Sequence, residues 1–203
     1  HCNLAYYKQV FSPLACKYYR LRLAPHLQPS LVHDPVTGKG IKNEVRSSDI
    51  VHVGPEYLDW FALEIDLILE KLTGVSRAQG ESMHLLRYKN GQQYNPHYDA
   101  IIGQGIQFDT ILKDGGQRIK TAITYLSDGY QGGETQFPKL GTSIKANVGD
   151  ILVFNNVDED GNVLRDSYHA GLPVTEGTKW ILTKWVREST THYGDVVYPN
   201  KVN

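Results

Sequence analysis

Two stretches among the first 80 residues repeat their apolar positions with helical spacing. Ser12-Pro13 offers a capping hydroxyl followed by proline at the first helical position, and it predicts a helix that runs to about Ala24. A second helix is predicted to begin at Gly54-Pro55 and to end at Gly74. Its apolar positions recur every three or four residues: Leu58, Phe61, Ile65, Ile68, Leu69 and Leu72.

After Gly80 the pattern changes to short alternating or apolar runs, separated by Gly, Asn, Asp and Pro. This pattern is typical of an all-β barrel or sandwich. We predict a mainly β fold with flanking helices (α+β). The strands are predicted near residues 82–89, 95–101, 118–127, 133–137, 142–146, 150–155, 167–172 and 179–187.

Length and charge narrow the possible classes of protein. A chain of 203 residues suits one domain with a substantial core. The net charge of −1 gives no support to nucleic-acid binding. No apolar run approaches the roughly 20 residues that span a bilayer. Two cysteines, Cys2 and Cys16, are more consistent with reduced or buried thiols than with a disulfide.

The chemistry is indicated first by a His-x-Asp pair. His97 and Asp99 stand one residue apart, and His169 follows 70 positions after Asp99. Residues at i and i+2 of a strand point the same way, so His97 and Asp99 are predicted to hold one ion. Two imidazoles and one carboxylate form a facial metal site that suits non-haem Fe(II) and oxygen chemistry. A lone His-x-Asp pair is common by chance, so the triad needs independent support.

That support comes from Lys179, ten residues after His169. It opens the run 179–186, which has the apolar content of a largely buried strand. A lysine in such a strand needs an anionic partner. We therefore predict that Lys179 holds the far carboxylate of a dicarboxylic cosubstrate whose near end chelates the metal.

Six blocks then occur in a fixed order, and together they resemble the prolyl 4-hydroxylases of the Fe(II)- and 2-oxoglutarate-dependent oxygenases. They cover roughly residues 81–187, with a looser match from Arg46 onward. The blocks are Leu85-Leu86-Arg87-Tyr88, residues 91–99, Thr124-Tyr125-Leu126-Ser127-Asp128, residues 132–138, residues 149–154, and residues 169–174 with Lys179-Trp180.

The resemblance implies a double-stranded β-helix, or jelly roll, as the core over residues 81–190. Residues 1–80 are predicted to supply helical support, and the polar, loop-like composition of 33–45 predicts a flap opposite the segment 102–117. The implied activity is hydroxylation of a peptidyl proline with Fe(II), 2-oxoglutarate and O2, and ascorbate would restore oxidised iron. The glycine-bearing segment 102–117 is interpreted as a lid or substrate clamp beside the metal, with a plain surface hairpin as the alternative.

Individual residues follow from the resemblance. Tyr88 would donate a hydrogen bond to the cosubstrate carboxylate held by Lys179, and Thr124 would add a hydroxyl there. Arg118 occupies the position of an arginine essential near the reacting proline. The remaining predicted contacts with the peptide are Arg46, Ser48, Glu81, Tyr94 and Trp185, and strand parity adds Arg187 near the rim. Strand parity also predicts that Lys179, Ile181, Thr183, Trp185 and Arg187 share the inward face.

Two other functions stay open on the sequence. The same machinery would also serve for hydroxylation of another residue or of a small molecule, although the predicted groove positions argue against that. A non-catalytic jelly-roll binding module is disfavoured by the intact triad and Lys179. We expect a monomer that binds a proline-containing peptide and neither nucleic acid nor membrane. The absence of an Asn-x-Ser/Thr sequon favours the cytoplasm, and the start at His1 is compatible with a removed signal or anchor.

Overall fold

The computed structural model describes residues 1–30, 32–33, 40–41 and 47–199. Within these ranges the α-helices are α1 (Pro13–Leu23), α2 (Trp60–Thr73), α3 (Ile106–Leu112) and α4 (His192–Val197). The strands are β1 (Ala5–Tyr7), β2 (Gln28–Pro29), β3 (Val32–His33), β4 (Gly40–Ile41), β5 (Asp49–Val53), β6 (Met83–Lys89), β7 (Tyr94–His97), β8 (Arg118–Tyr125), β9 (Tyr130–Gly132), β10 (Thr135–Phe137), β11 (Thr142–Ile144), β12 (Ile151–Asn155), β13 (His169–Gly171) and β14 (Val174–Arg187).

Two antiparallel sheets form the core of the molecule. The large sheet has the order β1-β12-β8-β14-β6-β5-β2, with β9 paired to the first residues of β14. The small sheet has the order β11-β10-β13-β7. Aromatic side chains join the two, because Phe137 of the small sheet packs edge-on against Phe154 of the large one at 5.1 Å. The predicted sheet-rich fold with flanking helices is confirmed, although the two sheets face each other without closing into one barrel.

Each face of the large sheet has its own apolar core. On the outer face, Val53, Leu85 and Leu182 pack with Phe61 and Ile65 of α2. On the inner face the buried side chains meet the small sheet. The inner core contains Leu86, Tyr88, Ile123, Tyr125, Leu152, Phe154, Ile181 and Phe137. Since both faces are covered, residues 121–125 of β8 and 151–154 of β12 are buried at every position.

The two predicted helices are present, with one corrected boundary. α1 begins after Ser12, whose hydroxyl accepts a hydrogen bond from the backbone N–H of Ala15. α2 ends at Gly74 in the left-handed conformation, as expected. It begins at Trp60, however, five residues later than predicted. Asp59 caps it by accepting from Ala62, and residues 55–57 form a separate 3-10 turn.

The prediction of strands and loops needed three corrections. The N-terminal region is not only helical, because β1, β2 and β5 extend the large sheet. The strand predicted over 95–101 ends at His97, so Asp99 lies in a bend beyond it. The predicted lid 102–117 contains the helix α3, and Gln117 ties its ends by bonding the backbone N–H and C=O of Ile101. The predicted flap 33–45 lies almost entirely outside the described residues.

Among the described helices, none has the length and apolar character that crossing a bilayer requires. Cys2 and Cys16 are both buried and unpaired, the latter within α1.

Candidate metal and cosubstrate site

Neighbouring strands of the small sheet carry the two histidines of the triad. His97 ends β7 and His169 begins β13, and their Cα atoms are register partners. Asp99 follows two residues after β7, and its carboxylate lies 3.5 Å from Nε2 of each imidazole. One ligand atom from each residue lies within 4.8 Å of the others. In the part of the chain that the structure describes, this is the one cluster of three such ligands.

Backbone carbonyls orient both imidazoles in the same way. Nδ1 of His97 is 2.8 Å from the carbonyl oxygen of Asn95, and Nδ1 of His169 is 2.8 Å from that of Ser167. Each Nδ1–H therefore donates to the carbonyl two residues earlier, which leaves the Nε2 lone pair directed at the common centre. Tyr94 stacks on the His97 ring with centroids 3.6 Å apart. This tautomer is the one that metal binding requires.

The protonation states also favour a cation at this centre. Burial lowers the pKa of His169 to about 4, so its imidazole is neutral near pH 7. Burial of Asp99 opposes its ionisation, but His169, His97 and Arg118 outweigh this effect and hold the pKa of its carboxyl well below the usual range. A buried carboxylate beside a neutral imidazole is the donor set of a divalent metal site. The residues present therefore fit Fe(II).

Lys179 lies on β14 opposite Tyr88 of β6 and is only 3 % exposed. Its Nζ donates to the carbonyl of Gly133 at 2.7 Å and lies 5.7 Å from the Tyr88 ring and 5.8 Å from the Tyr125 ring. Among the described residues, no carboxylate lies within ion-pair distance of this ammonium. A buried cation in this state is suited to an anionic ligand. The cosubstrate assignment of Lys179 and Tyr88 is therefore compatible with the geometry.

A cavity links the triad to the inner face of β14. Ile181, Thr183 and Trp185 all line it, so the predicted parity holds for these three residues. From the small sheet and the neighbouring strands, the lining also includes Leu86, Tyr88, Tyr94, His97, Asp99, Ile123 and His169.

An ionic cluster lies at the end of this cavity beside Trp185. Arg118 donates to both carboxylate oxygens of Glu81, at 2.6 and 2.8 Å, and its guanidinium lies 3.8 Å above the Trp185 ring. Arg187 approaches the same carboxylate at 2.6 Å and also donates to the carbonyl of Gly116. Glu81 and Arg187 were predicted as peptide contacts. Here both are engaged with protein groups, and their visible role is to position Arg118 and the segment before it.

Two of the predicted residues are not brought to the site. Ser48 is 2 % exposed, and its hydroxyl hydrogen-bonds to that of Ser30, so it presents no surface to a ligand. Thr124 alternates with Ile123 and Tyr125, which face inward, and it shares the outward parity of Ala122 and Leu126. The hydroxyl predicted for the cosubstrate is therefore on the wrong face. Arg46 lies outside the described residues.

Thr121 was not predicted from the sequence, and its hydroxyl donates to the Asp99 carboxylate at 2.7 Å. Asn156, which contacts Thr121, was not predicted either. Residues 121–127 are all buried, so this strand has no polar alternation that marks its inward face. The parity of Ile123 and Tyr125 would identify Thr121 only after the strand is paired with β14.

The chain is similar to known proteins over most of its length. Residues 83–187 match the family model of the 2OG-Fe(II) oxygenase superfamily. Prolyl 4-hydroxylase 1 of Arabidopsis thaliana is 36 % identical over 197 residues, which cover 89 % of this chain and 67 % of the relative. Probable prolyl 4-hydroxylase 10 of the same plant is 35 % identical over 85 % of this chain and 64 % of its own length. The chain thus spans about two thirds of the length of these relatives.

Solved structures of prolyl hydroxylases have a fold similar to that of this chain. The viral collagen prolyl hydroxylase of Paramecium Bursaria Chlorella virus-1, in complex with 2OG, superposes with a TM-score of 0.69 at 26 % identity. The match covers 91 % of this chain and 95 % of the viral one. A prolyl-4-hydroxylase of Pseudomonas putida gives a TM-score of 0.62 at 19 % identity, over 92 % of each chain, and supports the fold alone. The neighbours are jelly rolls, in agreement with the two-sheet core.

Proposed function

We propose, because this chain belongs to the prolyl 4-hydroxylases of the 2OG-Fe(II) oxygenase superfamily, that it hydroxylates proline in a peptide or protein. The reaction would consume O2 and decarboxylate 2-oxoglutarate to succinate and CO2, with ascorbate restoring oxidised iron. One observation carries the proposal: the triad, the ring of Trp185 and the buried Lys179 all surround the inner face of β14.

His97, Asp99 and His169 would hold the iron through two Nε2 atoms and one carboxylate. When bound, Fe(II) and 2-oxoglutarate together activate O2 and deliver one oxygen atom to an unactivated C–H bond. The chain supplies orientation, because the Asn95 and Ser167 carbonyls hold the ring tautomers. Asp99 and His169 are buried, which limits the access of water to the centre.

Lys179 would bind the far carboxylate of 2-oxoglutarate, with Tyr88 as a hydrogen-bond donor to the same group. The ammonium lies in the inner core beside two tyrosine rings, where a lone cation is costly. A dicarboxylate bound there would gain a charge-assisted hydrogen bond in a medium that strengthens it. Thr124 has no part in this proposal, because it faces outward.

We expect the affinity for 2-oxoglutarate to weaken as the pH rises above 7. Burial lowers the pKa of the Lys179 ammonium to about 7, so the ligand-free lysine loses its charge above that value. Binding a dianion then requires proton uptake, and the dissociation constant should rise by up to about tenfold per pH unit. Calorimetry on the Mn(II)-loaded protein between pH 6.5 and 9, in two buffers of different ionisation enthalpy, measures both effects.

Lys179→Arg is the matched control for this pH dependence. Its guanidinium stays charged over the whole range, so its profile should be flat and without proton uptake. A flat profile in the wild type, or an equal slope in the Arg variant, would contradict the assignment of the titrating group to Lys179.

The peptide would lie along Trp185, Tyr94 and Arg118. The Trp185 ring is 5 % exposed and packed between the Arg118 guanidinium at 3.8 Å and the His84 ring at 4.7 Å. A rigid aromatic wall suits a polyproline-II ligand, which pays little entropy on binding. Arg118 also donates to the backbone carbonyl of Asp99 at 3.4 Å, so one side chain links this groove to a metal ligand.

Arg118→Ala should abolish peptide hydroxylation. Slow turnover of 2-oxoglutarate that is not coupled to hydroxylation should continue. The change removes the cation above Trp185 and one of the two arginines that neutralise Glu81. We expect hydroxylation to fall about 100-fold or more, as for the loss of a charged contact to the substrate. The measurement compares hydroxyproline with succinate formation in the same reaction.

Arg87→Ala is the control, since Arg87 is similarly half-buried and paired with Asp49 but lies on the other face of the sheet. Equal losses of both products in Arg118→Ala would contradict a specific role in the groove.

A peptide panel tests the proposed function as a whole. Collagen-like, Ser-Pro-rich and other proline peptides would be incubated with Fe(II), 2-oxoglutarate and ascorbate, and mass spectrometry would locate a gain of one oxygen atom. The same peptides with 4-hydroxyproline in place of proline are the control and should gain none. Succinate release without oxygen gain on any proline would retain the oxygenase and reject proline as its substrate.

Residues 1–203 are proposed to act as one domain and as a monomer, with 1–80 supporting the 81–190 core. The shared large sheet supports the single domain, because β5 from the first part pairs with β6 from the second. The lid role of 102–117 is supported by its anchored ends and by the positive φ angles of Gly103, Gly105, Gly115 and Gly116.

A further inference from the structure

Asp99 differs from the two histidines in how it is oriented. Each imidazole is held by a carbonyl two residues earlier in its own segment. Asp99 lies in a bend beyond β7, and the hydrogen bond to its carboxylate comes from a different strand. The Thr121 hydroxyl of β8 donates to Oδ2 at 2.7 Å. This bond fixes the rotation of the carboxylate and therefore the position of both oxygens relative to His97 and His169.

The number of available protons sets the direction of this hydrogen bond. A threonine hydroxyl has one proton, and a carboxylate can only accept. Asn156 places its Nδ2 at 2.9 Å and its Oδ1 at 3.3 Å from the same hydroxyl oxygen. The Thr121 proton goes to the charged acceptor at the shorter distance, and the hydroxyl oxygen accepts from Asn156. The chain of donors therefore runs from Asn156 to Thr121 to Asp99.

Both donors are locked in place. Thr121 and Asn156 have no exposed surface. The backbone N–H of Asn156 donates to Ile119 at 2.8 Å, and its carbonyl accepts from Leu164 at 2.9 Å. The two side chains thus cannot exchange partners with water, and in such buried surroundings an aligned hydrogen bond is stronger than at the surface.

We propose that Thr121 and Asn156 are positioning residues that set the orientation of Asp99 and thereby the affinity of the triad for a divalent metal. This proposal rests on the metal site of the proposed function and adds the residues that orient one of its ligands. Partners of this kind tune metal ligands in proteins generally, and their loss costs about 10- to 100-fold in metal affinity.

Thr121→Val tests the proposal by metal binding without turnover. Valine keeps the shape of threonine but leaves Asp99 and Asn156 without the shared hydroxyl. Free Mn(II) would be measured by electron paramagnetic resonance during anaerobic titration. We expect the Mn(II) dissociation constant to rise about 10- to 100-fold, and Asn156→Ala to raise it by a smaller factor of about 2 to 10. Thr121→Ser restores the donor and should bind within about threefold of the wild type.

Thr124→Val is the matched control, because it makes the same change in the same strand on the outward face. Thermal unfolding of each metal-free variant separates loss of fold from loss of affinity. If Thr121→Val does not fold, Thr121→Ser and Asn156→Ala still test the proposal, since only Asn156→Ala should weaken Mn(II) binding. Wild-type affinity in Thr121→Val and Asn156→Ala, or equal losses in Thr124→Val, would overturn the proposal. A wild type that binds no Mn(II) would instead reject the metal site itself.

Discussion

His169→Ala is expected to abolish succinate formation, to below about 1 % of the wild-type rate. The change removes one of three ligands that the structure brings within 4.8 Å of one another. Two remaining ligands, His97 and Asp99, do not define one face of a metal ion. The measurement is succinate release at saturating Fe(II) and 2-oxoglutarate, together with Mn(II) affinity of the same preparation.

A cavity is the main side effect of this substitution. The His169 ring packs against Phe154 at 4.9 Å and stacks near Phe137 at 5.6 Å, so alanine would also loosen the inner core. Circular dichroism of the variant must therefore show a folded protein before the loss is interpreted. His26→Ala, an exposed histidine beside Tyr57, is the control and should keep full turnover. Substantial succinate formation by a folded His169→Ala variant would contradict the assignment of His169 as an iron ligand.

Lys179→Ala should raise the concentration of 2-oxoglutarate needed for half-maximal turnover by about 100-fold, with a smaller effect on the maximal rate. The far carboxylate of the cosubstrate would then be buried without its cation, and leaving a charge unpaired costs more than the bond itself contributes. Steady-state kinetics of uncoupled turnover over a wide range of 2-oxoglutarate measures the shift.

The same strand supplies a matched control. Lys184 is as buried as Lys179, yet it lies on the outer face, 2.9 Å from the carboxylate of Asp66. Lys184→Met should lower the melting temperature and leave the 2-oxoglutarate requirement unchanged. If Lys179→Ala shows the wild-type requirement, the cosubstrate is bound elsewhere and the role assigned to this lysine is wrong.

Local patterns in the sequence were sufficient to predict several helix ends, the candidate metal ligands and the inward face of β14. The cap at Ser12 and the left-handed stop at Gly74 are short-range features, and both helix ends were predicted where they occur. His97, Asp99 and His169 were also predicted as metal ligands from residue type and spacing, with Lys179 as independent support. Once Lys179 was placed facing inward, the period of two along a strand also placed Trp185 on the cavity side.

Other features depended on which strands lie side by side. β8 is buried on both faces, so its sequence has no alternation, and Thr121 and Thr124 could not be distinguished until its pairing with β14 was known. Glu81 and Arg118 are 37 positions apart and meet only in the folded chain. The bend that carries Asp99 could likewise not be predicted from the two-residue spacing between His97 and Asp99.

The sequence by itself therefore predicted which groups would bind metal and cosubstrate, because that prediction depends on side-chain chemistry and local periodicity. Only the tertiary structure decided which groups orient them, because hydrogen bonds between distant strands depend on register, and register has no local signal in strands that are covered on both faces.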